Sequence, residues 1–196
     1  MRRDLFRWEL GGFLWTAAAG TAVHFAWGWL GRSLPAAAVC AVNESVWEHM
    51  KMLFLPIFLY TMAQLCLEGK NLPDLLAVRA VSALAGTVLI PAAFYTYTGC
   101  FGVHLVWADI AIFFLADAAV WLLDARGLRR GSLAAPWMQV AGFLALWLTL
   151  FAFVWCTYRP PHLPLWQDAV TRQYGLPRET GGPQSPEFTV FSTLHP

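Results

Sequence analysis

The sequence predicts an all-α integral membrane protein, a polytopic bundle of about five transmembrane helices. Hydrophobic residues make up 58% of the chain, and charged residues make up only 13%. Soluble domains carry roughly a quarter charged residues, so this composition is typical of a chain that lies in a bilayer. The charged residues also fall in short clusters between apolar runs that are each long enough to cross the hydrocarbon core.

The individual spans follow from the length of about 20 apolar residues that a helix needs to cross the bilayer. The first is predicted at about residues 10–30 and is uncleaved, because no small-residue cleavage site follows the basic N-terminus. The third, fourth and fifth are predicted at about residues 75–97, 103–123 and 136–158. Short loops containing Gly, Pro, Asn and Ser separate the spans, so we expect consecutive helices to pack as antiparallel neighbours.

The start of the second span, which ends near Leu67, has two interpretations. In the first, the segment SVWE at residues 45–48 forms a capping box and the helix begins near Val46. The charged side chains around the cap would then be solvated at the membrane surface. They are Glu44, His49 and Lys51.

The alternative is one long helix over about residues 35–67. The segment SLP at residues 33–35 is typical of a helix start, since proline is favoured in the first turn. In addition, the apolar run at residues 36–42 would be exposed to water if it formed a loop. A helix of this length would carry Glu44 and Glu48 inside the bilayer.

The distribution of basic residues predicts the orientation of the bundle. With the N-terminus inside, most Lys and Arg residues lie on the inner side, which the positive-inside rule favours. The C-terminus is then outside. The chain divides into a transmembrane bundle at residues 1–160 and an extracytoplasmic, Pro/Gly-rich tail at residues 161–196, and the tail is predicted to be disordered from about residue 177.

This orientation gathers most of the histidines and membrane-level carboxylates at the outer end of the bundle. A charge at bilayer depth costs roughly 2.5 to 3.5 kcal/mol, so it persists mainly where it faces a partner or a cavity. We therefore predict an outward-facing polar pocket that the first, second and fourth spans form and the tail partly covers. Its predicted ligand-binding side chains are Asn43, Ser45, Lys51 and Tyr97.

The same end of the bundle carries residue types that bind a divalent metal such as zinc, because imidazole nitrogens and carboxylate oxygens are its usual ligands. The predicted ligands are His24, His49, His104 and Asp109. Glu44 or Glu48 would serve as the general base in a metal-assisted hydrolysis or transfer on a small or lipidic ligand. No spacing in the chain is a known zinc signature, and a hydrogen-bonded structural network is the alternative.

Two other functions remain open at this point. Asp109 and Asp117 share one face of the fourth span, so acidic side chains could line the path of a cation- or proton-coupled transporter. The polar residues could instead hold neighbouring helices together in an accessory or scaffold protein without chemistry. Membrane lipids are the expected partners, and nucleic acid is not, because the chain has no basic stripe that would neutralise phosphates.

Two segments of the chain resemble a known family. They are NESVWEHMK at residues 43–51 and PPHLPLWQDAVTRQYG at residues 160–175. Both are similar to segments of a family of small uncharacterised bacterial integral membrane proteins, catalogued as a domain of unknown function. The resemblance covers about residues 8–176. It implies a multi-pass protein of the bacterial inner (plasma) membrane and assigns no catalytic residue.

A second resemblance rests on Ser45 and His49, four residues apart. Alkaline ceramidases and adiponectin-type receptors use a serine four residues before a histidine and hold zinc with histidines. The present chain has fewer predicted spans than those membrane hydrolases, and it lacks their late H-x-x-x-H pair. The resemblance therefore extends only to a possible chemistry of this segment.

Overall fold

The computed structural model describes residues 2–177, and this part of the chain is helical without a β-sheet. The only extended pairing in it is one isolated bridge between Gln167 and Tyr174. A short 3₁₀ turn lies at Pro164–Trp166. The helices are α1 (Arg2–Trp29), α2 (Leu34–Ala37), α3 (Val46–Glu68), α4 (Leu75–Phe101), α5 (Val106–Arg130) and α6 (Pro136–Tyr158).

Four of the helices, α3 to α6, are long and apolar enough to cross a membrane. They correspond to the second to fifth predicted spans, so the all-α, polytopic membrane bundle is confirmed. Helix α1 has 28 residues and is about 42 Å long, which is sufficient to cross as well. Its Gly, Thr, Trp and His residues make it less apolar than the other four long helices.

Helix α4 packs against α3, α5 and α6, and α1 packs against α3 and α5. The apolar windows of α3 and α4 are 61% and 56% buried, whereas those of α5 and α6 are only 22% buried. Large apolar side chains consequently point outward from α5 and α6, among them Trp107, Leu115 and Leu148. Such a surface fits a helix pair that faces lipid.

Glycines let some of the helices approach closely. A Cβ atom on Gly142 of α6 would lie 2.5 Å from the backbone oxygen of Leu76 of α4. On α1, a Cβ atom at Gly12 would lie 2.1 Å from the Trp121 ring of α5. Small residues at helix contacts are the usual packing device inside membranes.

The second span begins as the capping interpretation predicts. Ser45 has an extended backbone, and its Oγ accepts a hydrogen bond from the Glu48 backbone N–H at 3.3 Å. The long-helix interpretation over residues 35–67 is wrong, because α2 ends at Ala37 and a non-helical connection fills residues 38–45. We refer to residues 38–45 as the connection.

The connection is buried, which resolves the argument that favoured the long helix. Cys40, Ala41 and Val42 are at most 6% exposed, and the Ala41 N–H donates to the Val23 carbonyl of α1 at 3.3 Å. Irregular backbone is tolerated at membrane depth where protein covers it. The predicted solvation of the charges around the cap is wrong for Lys51, which is 1% exposed, while Glu44 is about half exposed.

Residues 161–177 fold back against the bundle, at the end where the connection lies. We call this the tail end of the bundle. The tail is held there by the Asn43 side chain, whose Nδ2 donates to the Gly175 carbonyl at 2.8 Å. The disorder predicted from about residue 177 falls almost entirely outside the described residues.

Candidate functional site

The tail fixes the backbone of Glu44 in the connection. Asp168 is 5% exposed, and its Oδ2 accepts from the Glu44 N–H at 3.0 Å. Its Oδ1 accepts from the backbone N–H groups of Val170 and Thr171, each at 2.7 Å. One buried carboxylate therefore closes a turn of the tail and positions the connection.

Replacing Asp168 by alanine is expected to release the tail from the connection. The change leaves the N–H groups of Glu44, Val170 and Thr171 without their acceptor, and a hydrogen bond to a charged group contributes about 1.5 to 3 kcal/mol. We expect faster proteolytic cleavage within residues 160–177, measured by mass spectrometry, than in the wild type. The matched control is Asp4→Ala on α1, and equal cleavage in both variants would contradict this role of Asp168.

Three side chains of types that commonly bind metals converge at the tail end. His24 comes from α1, Glu44 from the connection and His49 from the first turn of α3. One ligand atom from each lies within 4.8 Å of the others. The Glu44 carboxylate lies between the two histidines, with Oε1 at 3.9 Å from His24 Nε2 and Oε2 at 3.6 Å from His49 Nε2.

The imidazole of His49 is oriented by the helix cap. Its Nδ1 lies 2.8 Å from the Ser45 carbonyl oxygen. A carbonyl only accepts, so Nδ1 carries a proton, and in the neutral imidazole Nε2 is the nitrogen that is free to bind a metal. Metal-bound histidines are commonly held in this way by a backbone carbonyl. The other imidazole, that of His24, has a buried Nδ1 without a hydrogen-bond partner among the described residues.

The three side chains fit a divalent metal in kind and spacing. Two histidines and a glutamate form one of the ligand sets of catalytic zinc, which leaves a fourth position open. Tetrahedral zinc with bonds of about 2.0 to 2.1 Å places its ligand atoms about 3.3 to 3.4 Å apart. The separations of 3.9 and 3.6 Å involve different oxygens of Glu44, and the three ligand atoms lie within 4.8 Å of one another, so side-chain movements of up to about 1.5 Å would bring them to bonding geometry.

His104 and Asp109 form a separate pair. His104 Nε2 lies 2.6 Å from Asp109 Oδ2, and the Tyr97 hydroxyl donates to Asp109 Oδ1 at 2.7 Å. His104 lies in the loop before α5 and its side chain is 47% exposed. Of the four predicted metal ligands, the structure thus brings two together with Glu44 and pairs the other two with each other.

Both groups line one cavity of about 610 Å³ at the tail end. Apolar side chains from four helices form most of its wall, among them Phe25, Met52, Phe94, Ile110, Phe113 and Phe114. Its ionisable lining residues are His24, Glu44, His49, His104 and Asp109. The predicted polar pocket is therefore an apolar cavity with ionisable groups in its wall, and Ala169 and Val170 of the tail line it too.

Glu48 and Lys51, in contrast, are not part of the cavity wall. They form a buried ion pair with Lys51 Nζ at 2.6 Å from Glu48 Oε2. Lys51 also donates to the Ala37 carbonyl at 3.1 Å and to Thr157 Oγ1 of α6 at 3.0 Å. Glu48 accepts from the Val42 N–H at 3.3 Å. The pair joins α3, α6 and the connection, and Glu44 of the connection and His49 of α3 are its near neighbours in the chain.

Asp117, the second residue of the predicted cation path, lies away from the cavity. It is fully buried, and its Oδ1 accepts from the Trp121 Nε1–H at 2.9 Å. Asp109 lines the cavity and Asp117 does not. The described residues therefore show no shared passage between these two carboxylates, and the path stays a prediction.

Sequence reasoning missed a group of buried polar residues at the opposite end of the bundle, where α1 and α4 begin. Arg79 is fully buried there, and its Nη2 lies 3.0 Å from Asp124 Oδ2 and 3.9 Å from Glu9 Oε1. From the sequence, Arg79 counts only as one of the basic residues on the predicted inner side. The available signal was the presence of Gln64, Arg79, Ser82 and Asp124 within apolar runs at the same predicted end of three spans.

Comparison with known proteins places the chain in an uncharacterised group. A family model described as a family of unknown function (DUF6512) matches residues 3–176. No curated protein and no solved structure matches the chain. The predicted resemblance to a domain of unknown function is confirmed.

Proposed function

The chain belongs to the DUF6512 family, a family of unknown function, and we propose that its cavity binds a divalent metal such as zinc through His24, Glu44 and His49. The protein would use this metal in a hydrolysis or transfer on a small or lipidic ligand, in the bacterial inner membrane. The observation that carries the proposal is the convergence of three suitable ligand atoms within 4.8 Å in the wall of a cavity.

The metal, when bound, would polarise a carbonyl or phosphoryl oxygen and activate a water molecule. The proton that this water molecule would release needs a base that faces the cavity. His104 is suited to this role because it lines the cavity and Asp109 holds its Nε2 at 2.6 Å. Glu48 is less suited than the sequence predicts, since it is 2% exposed and paired with Lys51. Glu44 would act as a ligand.

The cavity wall favours a ligand with an apolar chain. Phe25 of α1 and both Ile110 and Phe114 of α5 line the cavity and are also 41% to 52% exposed. Farther from the tail end, α1 and α5 pack closely, since a Cβ atom on Gly20 would lie 2.7 Å from the Phe113 ring. We infer from these exposed lining residues that the cavity opens between α1 and α5. A lipid chain would enter there without crossing water.

The proposal is tested by measuring bound metal in protein purified in mild detergent without chelator and then equilibrated with zinc. We expect about one metal ion per chain by mass spectrometry in the wild type, and its loss in His24→Ala and His49→Ala. The matched control is His162→Ala, because His162 stacks on Tyr174 with ring centroids 4.8 Å apart and does not line the cavity.

Two outcomes would overturn the proposal. One is a wild-type protein with no metal above the level of a chelator-treated sample. The other is a metal content that His162→Ala lowers as much as His49→Ala does, since this would place the ion elsewhere. Folding of each variant is checked by tryptophan fluorescence, so that loss of metal is separated from loss of structure.

A further inference from the structure

The buried group at the end of the bundle opposite the cavity combines two carboxylates with one cation. Both carboxylates, Asp124 of α5 and Glu9 of α1, lie within 4 Å of the same nitrogen, Arg79 Nη2. Arg79 and Asp124 are fully buried, and Glu9 is 6% exposed. Among these three side chains, the carboxylates therefore outnumber the cation by one.

Arg79 and Asp124 have partners other than Glu9. Arg79 Nη2 donates to Gln64 Oε1 at 2.8 Å, and its guanidinium stacks over the Trp121 ring at 4.2 Å. Asp124 Oδ1 accepts from the Ser82 hydroxyl at 3.0 Å. The guanidinium of Arg79 is therefore closest to Asp124, whereas Glu9 Oε1 lies at the longer distance of 3.9 Å from Arg79 Nη2.

Glu9 is the carboxylate that has no close cationic partner in this group. Both of its carboxylate oxygens are buried and lack a hydrogen-bond partner among the described residues. An ionised carboxylate in such surroundings is strongly destabilising, whereas a protonated one is tolerated. Glu9 and Asp124 approach the same nitrogen of Arg79, and two carboxylates that share a buried site cannot both ionise easily.

Among the described side chains, no second buried cation lies beside Glu9. From α3 the neighbouring group is Tyr60, whose hydroxyl donates to the Trp8 carbonyl at 2.7 Å. Asp74, just before α4, adds a further buried carboxylate near Asp124. Arg129 of α5 is exposed, and its Nε donates to the Ala125 carbonyl at 2.7 Å. The remaining groups around the pair are therefore neutral, acidic or solvated.

We propose that the Glu9 carboxyl group binds a proton in the folded protein, beside Arg79 and Asp124, so that this end of the bundle is a proton-binding site. The proton neutralises the excess carboxylate and gives it an O–H donor. Loss of the proton leaves two carboxylates in competition for one guanidinium, which weakens the Arg79–Asp124 contact and the packing of α1 against α5. The site is independent of the metal proposed at the tail end.

The test uses Glu9→Gln, which has the shape of a protonated glutamate but cannot ionise. A proton retained by the folded protein and released on unfolding makes the wild type less stable as pH rises through the range in which unfolded Glu9 is ionised. We expect the unfolding equilibrium constant of the wild type, relative to Glu9→Gln, to rise by up to about tenfold per pH unit between about pH 5 and pH 8.

The matched control is Glu68→Gln at the same end of the bundle, because Glu68 is only partly buried and accepts from Asn71 at 2.7 Å. The unfolding equilibrium constants of Glu68→Gln and of the wild type should change with pH in the same way, because both proteins retain Glu9. If the unfolding equilibrium constants of Glu9→Gln and of the wild type also change with pH in the same way, Glu9 is ionised in the folded protein and the proposal is overturned.

A second measurement needs no variant. Dicyclohexylcarbodiimide reacts with protonated carboxyl groups in apolar surroundings, and peptide mass spectrometry locates the adduct. We expect labelling at Glu9 at neutral pH, and less labelling as the pH is raised. A wild-type protein that is not labelled at Glu9 at any pH between about 5 and 9 counts against the site.

Discussion

Replacing Lys51 by methionine is expected to lower the free energy of unfolding by about 3 to 5 kcal/mol, because it breaks a buried ion pair and leaves one charge alone. Lys51 is 1% exposed and Glu48 is 2% exposed. The ammonium has an acceptor for each of its three N–H groups, namely Glu48, the Ala37 carbonyl and Thr157. Denaturation in mixed micelles, followed by tryptophan fluorescence, measures the change.

Two variants separate charge from packing in this experiment. Lys70→Met makes the same substitution at an exposed lysine and should change stability by less than about 0.5 kcal/mol. The double variant Glu48→Gln, Lys51→Met removes both charges and should recover part of the loss. A single Lys51→Met variant as stable as Lys70→Met would contradict the role of the pair.

The pair also connects stability to the candidate metal site. Lys51 holds α2 through the Ala37 carbonyl, and Glu48 holds the connection through the Val42 N–H. Glu44 follows Val42 by two residues, and its carboxylate lies between His24 and His49. The ion pair is therefore a positioning device for Glu44, and the sequence-based assignment of Glu48 as a base is replaced by this structural role in our proposal.

The cap of α3 shows which part of the site local sequence can predict. Ser45 and Glu48 are three residues apart, and the hydrogen bond between them depends on no distant segment. The buried course of the connection is different, because it depends on the contact of Ala41 with Val23 of α1 and on the packing of the preceding helix α2 against α6. One sequence cannot indicate which helices lie beside a loop, so both interpretations of the second span misplaced these residues.

The pairing of His104 with Asp109 illustrates the same limit. Residues five apart do not share a helix face, so their spacing argued against a common site. His104 lies before α5 begins, and Asp109 lies in its first turn, where the loop turns the imidazole back onto the carboxylate. The approximate spans were predictable because apolar length is a local property, whereas contacts such as this one depend on the path of a loop.

Replacing Arg79 by methionine is the second change expected to have a large effect, also about 3 to 5 kcal/mol in the free energy of unfolding. The substitution preserves much of the side-chain volume but leaves Asp124 fully buried with the Ser82 hydroxyl as its remaining partner. Gln64 Oε1 loses its donor as well. The same denaturation in mixed micelles measures the loss.

Arg126→Met is the matched control for this change, because Arg126 is exposed on the same helix as Asp124 and its Nη1 donates only to the Leu122 carbonyl. Adding Asp124→Asn to Arg79→Met should recover stability, since it removes the stranded carboxylate. Metal content should stay at the wild-type level in folded Arg79→Met protein, because Arg79 lies at the end of the bundle opposite His24, Glu44 and His49. An Arg79→Met protein as stable as Arg126→Met would show that the buried cation is not needed to hold α4 and α5 together.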